Sequence, residues 1–247
     1  MGNGIYGIWL RDMKKFFRVR SHFISSIVRP MLWLLIMGGG LKPIVQPIQG
    51  VDYIQYIFAG IVSMSIIFAA MQSAISIVWD REFGYLKEIL VSPVPRTAVV
   101  LGKACSGSTI ATLQGALTFI FLPFIGLSIP LLSSFYALIA MFIIGFSIAT
   151  LGIVIAGKLT SFESFGSIVN FLLLPMFFLS GAVYPIPSAP TWLTPLLYMN
   201  PLTYGVDLLR YILLDQSTFS PLVNLSVLLA FSAVMLSIAI PLFKRES

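Results

Sequence analysis

With 58% hydrophobic residues, 10% charged residues and a mean hydropathy of +0.97, the 247-residue chain has more apolar surface than one water-soluble core can hide, so its solvent is a bilayer. The single cysteine, Cys105, excludes an internal disulfide framework and a thiolate metal cluster, and the single histidine, His22, has no histidine partner. The formal charge of +6 would point to nucleic acid in a soluble chain; here its distribution reports orientation, and no nucleic-acid partner is expected.

In chain order, residues 4–20 place Arg11, Lys14, Lys15 and Arg18 at helical spacings, with Ile5, Ile8, Trp9, Met13 and Phe16 on the opposite side. The pattern predicts a basic amphipathic helix lying in the headgroup layer, or, more plainly, a basic topogenic cluster. Both readings put the N-terminus in the cytoplasm. No small-residue cleavage site follows, so removal as a signal peptide is not expected.

Six apolar stretches follow, over residues 23–41, 53–79, 105–126, 132–156, 164–180 and 221–243. Each approaches the roughly 20 residues that a helix needs to cross hydrocarbon. The first must include or skirt Arg29-Pro30, so Arg29 either snorkels or pairs near the cytoplasmic end, or faces a substrate. The uncharged run between Lys103 and Lys158 is too long for one helix, and Pro123, Gly126 and Pro130 divide it in two. With the N-terminus inside, all Lys and Arg except Lys42 and Arg210 fall on the cytoplasmic side, as the positive-inside rule requires. The predicted fold is therefore an all-α polytopic membrane protein of six spans, with both termini cytoplasmic and an interfacial N-terminal helix.

The cytoplasmic loop between the second and third spans, residues 80–96, starts with alternating charges. It presents Phe83, Leu86, Ile89 and Leu90 as one apolar face of a short helix, stopped by Ser92-Pro93-Val94-Pro95. Such a face either docks into a groove on a soluble partner or rests on the membrane and the chain's own helices. Beyond the fifth span, six prolines from Pro175 to Pro201 and a polar cluster from Asn200 to Arg210 break the chain after Ser180-Gly181. Freed backbone groups find no partners in hydrocarbon, so the stretch from Pro175 to Arg210 is expected to fold as a cap or re-entrant turn. Asp207 and Arg210, three apart on a helix, are expected to pair with each other.

Several chemistries have no carrier. Gly102-Lys103 is followed by Ala104 and lacks the preceding phosphate-cradling glycine, so the chain has no P-loop. No metal-ligand spacing occurs, and His22 is poorly placed for a triad. The central portions of the predicted spans lack ionisable groups, which disfavours a proton or sodium relay. No catalytic residue is assigned.

Two separated motifs carry a family resemblance. Leu173, Met176, Leu179-Ser180, Ala182 and Ala189-Pro190, then Pro201-Leu202-Thr203-Tyr204 and Arg210, resemble in order and spacing the signature of ABC-2-type transporter permeases. Arg81-Glu82-x-Gly84-x-Leu86-x-x-Ile89-Leu90-x-Ser92-Pro93, with Gly102-Lys103 downstream, is similar to that family's loop between spans two and three. The resemblance covers essentially the whole chain and points to the subgroup exporting drugs, lipid-linked glycans or lipo-oligosaccharides.

It implies a non-catalytic membrane subunit paired with a second permease copy, most simply as a homodimer, in the plasma membrane. Two separate ATPase subunits would bind the ATP and Mg, with no cofactor in this chain. The resemblance makes Arg81, Glu82, Phe83, Gly84, Leu86, Ile89, Leu90, Ser92 and Pro93 the ATPase-coupling residues. It likewise makes Ser180, Gly181, Pro190, Asn200, Pro201, Tyr204 and Arg210 the outer gate, and maps residues 184–212 onto short extracytoplasmic helices that half re-enter the membrane and cap the path. A path lined from spans one, two and five would offer Trp33, Phe58, Met64, Met71, Phe177 and Phe178 as an apolar wall, or those residues simply pack helices or meet lipid. The rival readings are an ATP-independent channel or secondary carrier, and a membrane scaffold recruiting a cytosolic protein through residues 80–96.

Overall fold

The computed structural model of the chain describes residues 2–48, 50–84, 95–159 and 161–244. Among these the fold is helical throughout, with one isolated bridge between Ile48 and Val51. Helices α1 (Gly2–Arg18) and α2 (Arg20–Trp33) lead into a π-helical segment, Leu34–Gly39. After a turn closed by Lys42 and Asp52 at 3.1 Å come α3 (Tyr53–Glu82), α4 (Arg96–Leu117) and α5 (Leu131–Lys158). The chain ends with α6 (Phe162–Phe178), the short α7 (Thr194–Met199), α8 (Pro201–Leu214) and α9 (Pro221–Lys244).

Helix α3 is the axis of the bundle. In its most apolar 18-residue window 72% is buried, against 17% for α9, so α3 is surrounded by protein and α9 lies at the periphery. It packs on α4, α5, α6 and α8, and the crossings use small residues. A Cβ on Gly152 of α5 would sit 2.7 Å from the Ala74 methyl of α3, and one on Gly60 of α3 would sit 2.6 Å from the Ala182 carbonyl oxygen. Close backbone approach of this kind is how helices gain dispersion contact where no hydrophobic drive separates them from lipid. Ser147 of α5 adds an interhelical bond, with its Oγ 2.7 Å from the Oγ of Ser232 on α9.

Among the described residues four helices are long and apolar enough to cross a membrane: Tyr53–Glu82, the run Arg96–Phe121, Leu131–Lys158 and Pro221–Phe243. The run Phe23–Gly39 qualifies only jointly with α1, from which it is bent by 71°, and Phe162–Phe178 is a shorter apolar helix of 17 residues. The predicted stretches 53–79, 132–156 and 221–243 match these helices closely.

Two expectations differ. The third stretch starts at Arg96 instead of 105, because Lys103 lies inside the helix with partners that neutralise it. The apolar face of α1 turns to protein: Met13 and Phe16 are buried against Ile110 of α4, and the Trp9 indole donates to Thr109 Oγ1 at 3.1 Å. Tyr6 and Phe17 stay outside.

Candidate functional site

At one end of the bundle four charged side chains from three helices meet. Lys103 Nζ of α4 lies 3.0 Å from Asp80 Oδ2 of α3 and 3.3 Å from Asp12 Oδ2 of α1, and donates to Ser76 Oγ at 2.8 Å. Arg11 Nη2 lies 2.8 Å from Asp80 Oδ2 and 3.3 Å from Asp12 Oδ1, and Ser106 Oγ donates to Asp12 at 2.9 Å. Two acids and two bases balance, which is the condition under which buried charge is tolerated. Removing one member leaves the others uncompensated. The arrangement fixes α1 to the ends of α3 and α4 where those helices flank residues 85–94.

The sequence reading missed this cluster. Its signal is visible in retrospect: Asp12 falls four residues after Ile8 and four before Phe16, on the apolar face of α1. An acid at such a position requires a buried base.

Both described flanks of residues 85–94 are gripped as well. The Arg81 guanidinium donates to the carbonyls of Ala156 at 2.9 Å, Gly157 at 3.4 Å and Leu159, at the C-terminal end of α5. Arg96 Nη1 donates to the Phe243 carbonyl at 2.6 Å, at the C-terminal end of α9. The last carbonyls of a helix lack intrahelical donors and carry its negative dipole end, so an arginine satisfies both needs.

Of the sequence-predicted coupling residues, Arg81 therefore acts inward. Glu82 and Phe83 are exposed, with the Phe83 ring stacked on Trp79 at 5.1 Å, and Gly84 holds φ +78° at the exit of α3. Leu86, Ile89, Leu90, Ser92 and Pro93 lie outside the described residues. Asp80, expected on the docking loop, is instead buried at the end of α3 by its two bases.

The opposite end is built around the break after α6. Asn200 is its keystone. Its amide Nδ2 donates to the Met176 carbonyl at 2.6 Å and the Leu179 carbonyl at 2.7 Å, while its Oδ1 accepts from Leu202 N at 3.0 Å, capping α8. Pro201 opens α8 at the position where its missing N–H costs nothing. Thr203 Oγ1 donates to Leu197 O at 2.6 Å, Ser180 Oγ to Phe177 O at 2.6 Å, and Tyr204 OH to Tyr198 O at 2.9 Å. Pro190 is exposed, and its carbonyl accepts from Leu193 N at 2.9 Å.

Gly181 makes the reversal with φ +69°, and a Cβ there would meet Ile186 at 2.7 Å. Its carbonyl accepts from Arg210 Nη2 at 2.8 Å. The freed backbone groups thus find partners within the protein, supplied by the residues that carried the family resemblance.

The pairing of Asp207 with Arg210 is corrected. Arg210 is buried with its guanidinium 4.0 Å over the Tyr56 ring, and no ion pair joins it to Asp207. Asp207 instead accepts from the backbone N–H groups of Thr218 at 2.7 Å and Phe219 at 3.0 Å and from Asn224 Nδ2 at 2.9 Å. Those donors come from the α8–α9 turn and α9. Three N–H donors satisfy a carboxylate better than one competing guanidinium, which has an aromatic face and a carbonyl to use.

The apolar candidates separate into two groups. Trp33 reaches Phe177 at 5.7 Å and Phe178 at 6.5 Å between centroids, an aromatic cluster joining α2 to α6 with Phe178 exposed. Phe58, Met64 and Met71 are instead buried inside the bundle, where Met71 packs against Gly152 and Phe58 against Phe119, so they have no free surface in this conformation. Two cavities, of about 310 and 270 Å³, lie between the α1–α2 elbow and helices α3 and α4, and none of these six candidates is among their lining residues. Among the described residues no group of three His, Cys, Asp or Glu could hold a metal ion.

Known proteins share this chain's sequence pattern. Residues 4–214 match the family model described as ABC-2 type transporter. A putative transport permease, ycf38, of Cyanophora paradoxa is 29% identical over 76% of this chain and 67% of its own length. Nodulation protein J of Rhizobium leguminosarum bv. viciae is 26% identical over 92% of this chain and 88% of its own. The inner membrane transport permease YadH of Escherichia coli (strain K12) is 25% identical over 96% and 93%. Since the family match spans both the charged end of the bundle and the capped break after α6, the chain belongs to the ABC-2 type transporter permeases and is an integral membrane transport component.

Proposed function

We propose that this permease forms the membrane path of an ATP-binding cassette exporter, working as one of two permease subunits, most simply identical, with two separate ATPase subunits that bind ATP and Mg. In this reading α2 with its π segment, α3, α4, α5, α6 and α9 make six crossings of the plasma membrane, with both termini cytoplasmic. Helices α7 and α8 half re-enter as an extracytoplasmic cap. The Asp80–Lys103 end then faces the cytoplasm and the Arg210–Gly181 end faces out, in keeping with the confinement of basic residues to one set of loops.

The observation that carries the reading is the anchoring of both flanks of residues 85–94. Arg81 ties one flank to the end of α5, Arg96 ties the other to the end of α9, and the Asp80–Lys103–Asp12–Arg11 cluster adds α1. A push on that segment by a closing ATPase pair reaches α1, α3, α4, α5 and α9 together. A permease without chemical groups of its own in the path needs a connection of this kind to alternate between two states. The apolar wall at the subunit axis would be offered by Trp33, Phe177 and Phe178, with Phe58, Met64 and Met71 contributing only after helices separate. A hydrophobic drug, a lipid or a lipid-linked glycan suits such a wall.

Purification of the native complex tests the reading. A co-eluting P-loop ATPase is expected, and Glu82→Ala or Leu86→Asp should uncouple ATP hydrolysis from export while membrane insertion persists. Absence of any ATPase would favour an ATP-independent channel or carrier, and unchanged export in both variants would remove the coupling role.

A further inference from the structure

The two cavities share Ala69, Gln72 and Gln114 and so form one cleft with two chambers. The first chamber is apolar, walled by Phe16, Val19, Ile75, Trp79 and Ile110, with Lys15 at its rim. The second is polar, with Ser25, Ser26 and Ser65 around Arg29. Arg29 lies over the Phe68 ring at 4.4 Å, and Phe68 is near the middle of α3, roughly 18 Å along the helix from Asp80 at ~1.5 Å per residue. The cleft therefore runs from the charged end of the bundle to mid-span, and Arg29 lies beside the middle of α3 rather than near the cytoplasmic end that its sequence position suggests.

Among the described residues three charged side chains line it: Asp12, Lys15 and Arg29. Asp12 is already balanced by Lys103 and Arg11. Neither Lys15 nor Arg29 has a carboxylate within 4 Å or a hydrogen-bond acceptor among the described residues. A cation held at mid-span without a counter-charge is costly and marks a path for a charged ligand. The aromatic ring offers the guanidinium a cation–π contact but accepts no N–H hydrogen bond in the guanidinium plane, so that donor fork can serve an oxyanion.

We propose that this cleft takes the anionic, phosphate-bearing headgroup of an amphiphile, admitted past Lys15 and held at mid-span by Arg29, with the hydrocarbon against the apolar chamber. The inference rests on the export reading only for its purpose; binding itself needs no ATPase.

The test uses the purified permease alone in nanodiscs, with phosphatidylglycerol and phosphatidylcholine as probes and lipid retention read by native mass spectrometry. Wild-type protein should retain phosphatidylglycerol roughly tenfold over phosphatidylcholine, the scale of one charge-assisted contact. Arg29→Gln should abolish the preference and Arg29→Lys should keep most of it. A diazirine-bearing phosphatidylglycerol on unmodified protein should label peptides containing Ile75 to Trp79 and Ile110 to Gln114, which covers the case of a variant that fails to fold. Unchanged preference in Arg29→Gln, or labelling elsewhere only, would overturn the proposal. Displacement of the lipid by inorganic phosphate at equal concentration would overturn the amphiphile assignment in favour of a free anion. An exporter lacking its ATPase would sink the export reading and leave these binding results standing.

Discussion

Lys103 Nζ lies 3.0 Å from Asp80 Oδ2, an ion pair between α4 and α3 in which the lysine side chain keeps 4% of its exposure and the aspartate 11%. Two helices separated in sequence by residues 83–95 are thereby held together at one end of the bundle. Asp12 joins the same lysine from α1, so the N-terminal helix reports any movement of that junction. The pair is the point from which the mechanical reading of the molecule follows.

Replacing Lys103 with methionine leaves Asp12 and Asp80 facing each other with only Arg11 between them. Loss of one partner of a buried pair costs about 3–5 kcal/mol. The expected result is a markedly lower unfolding temperature in nanodiscs, and Asp80→Asn in the same chain should recover part of it. An additive double mutant would show that the two groups do not interact.

Asn200→Ala removes the donors to Met176 and Leu179 and the cap of α8 in one step. The Leu179 carbonyl keeps the Thr203 hydroxyl at 3.3 Å, so the loss of the Met176 bond and of the cap should cost about 1–3 kcal/mol. Asn200→Asp keeps the acceptor for Leu202 N but cannot donate, so it should lose stability too. Limited proteolysis within residues 182–193 reads the effect, and equal resistance of both variants and wild type would contradict it.

Gly181→Ala forces a side chain into a left-handed turn, about 1–2 kcal/mol, and into contact with Ile186. Gly7→Ala, on an open face of α1, should instead be neutral or stabilise by up to about 1 kcal/mol. Thermal melts of the two variants side by side measure the difference in sign.

Arg96→Ala frees the end of α9 from the flank of the 85–94 segment. If force passes through that bond, ATP-driven export in vesicles should fall roughly tenfold, a barrier change of ~1.4 kcal/mol, with ATP hydrolysis continuing. Export and hydrolysis falling together would mean that the partner no longer docks.

Much of this architecture is written in local pattern. The uncharged runs beginning at Tyr53, Leu131 and Pro221 became the long helices they promised, because twenty apolar residues have few other stable conformations in lipid. Asn200, Pro201 and Gly181 were recognisable as a break because proline and positive-φ glycine act on their own backbone. Lys103 misled the boundary of α4, since a charge inside a helix looks like a loop until its partners are known. Leu86 to Pro93 were read from periodicity, and the structure describes only the residues on either side of them.

The sequence by itself determined the solvent, the helical class and the place where the chain must turn back, since these depend on composition and nearest-neighbour backbone preference, and two separated motifs carried the family. Only the tertiary structure decided which charges meet. Asp12, Asp80 and Lys103 are far apart in the chain, and so are Arg210 and Tyr56; their contacts depend on how α3 packs against its neighbours. Pairing of distant charges is set by helix rotation and register, and a shift of one residue along a helix turns a side chain by about 100°.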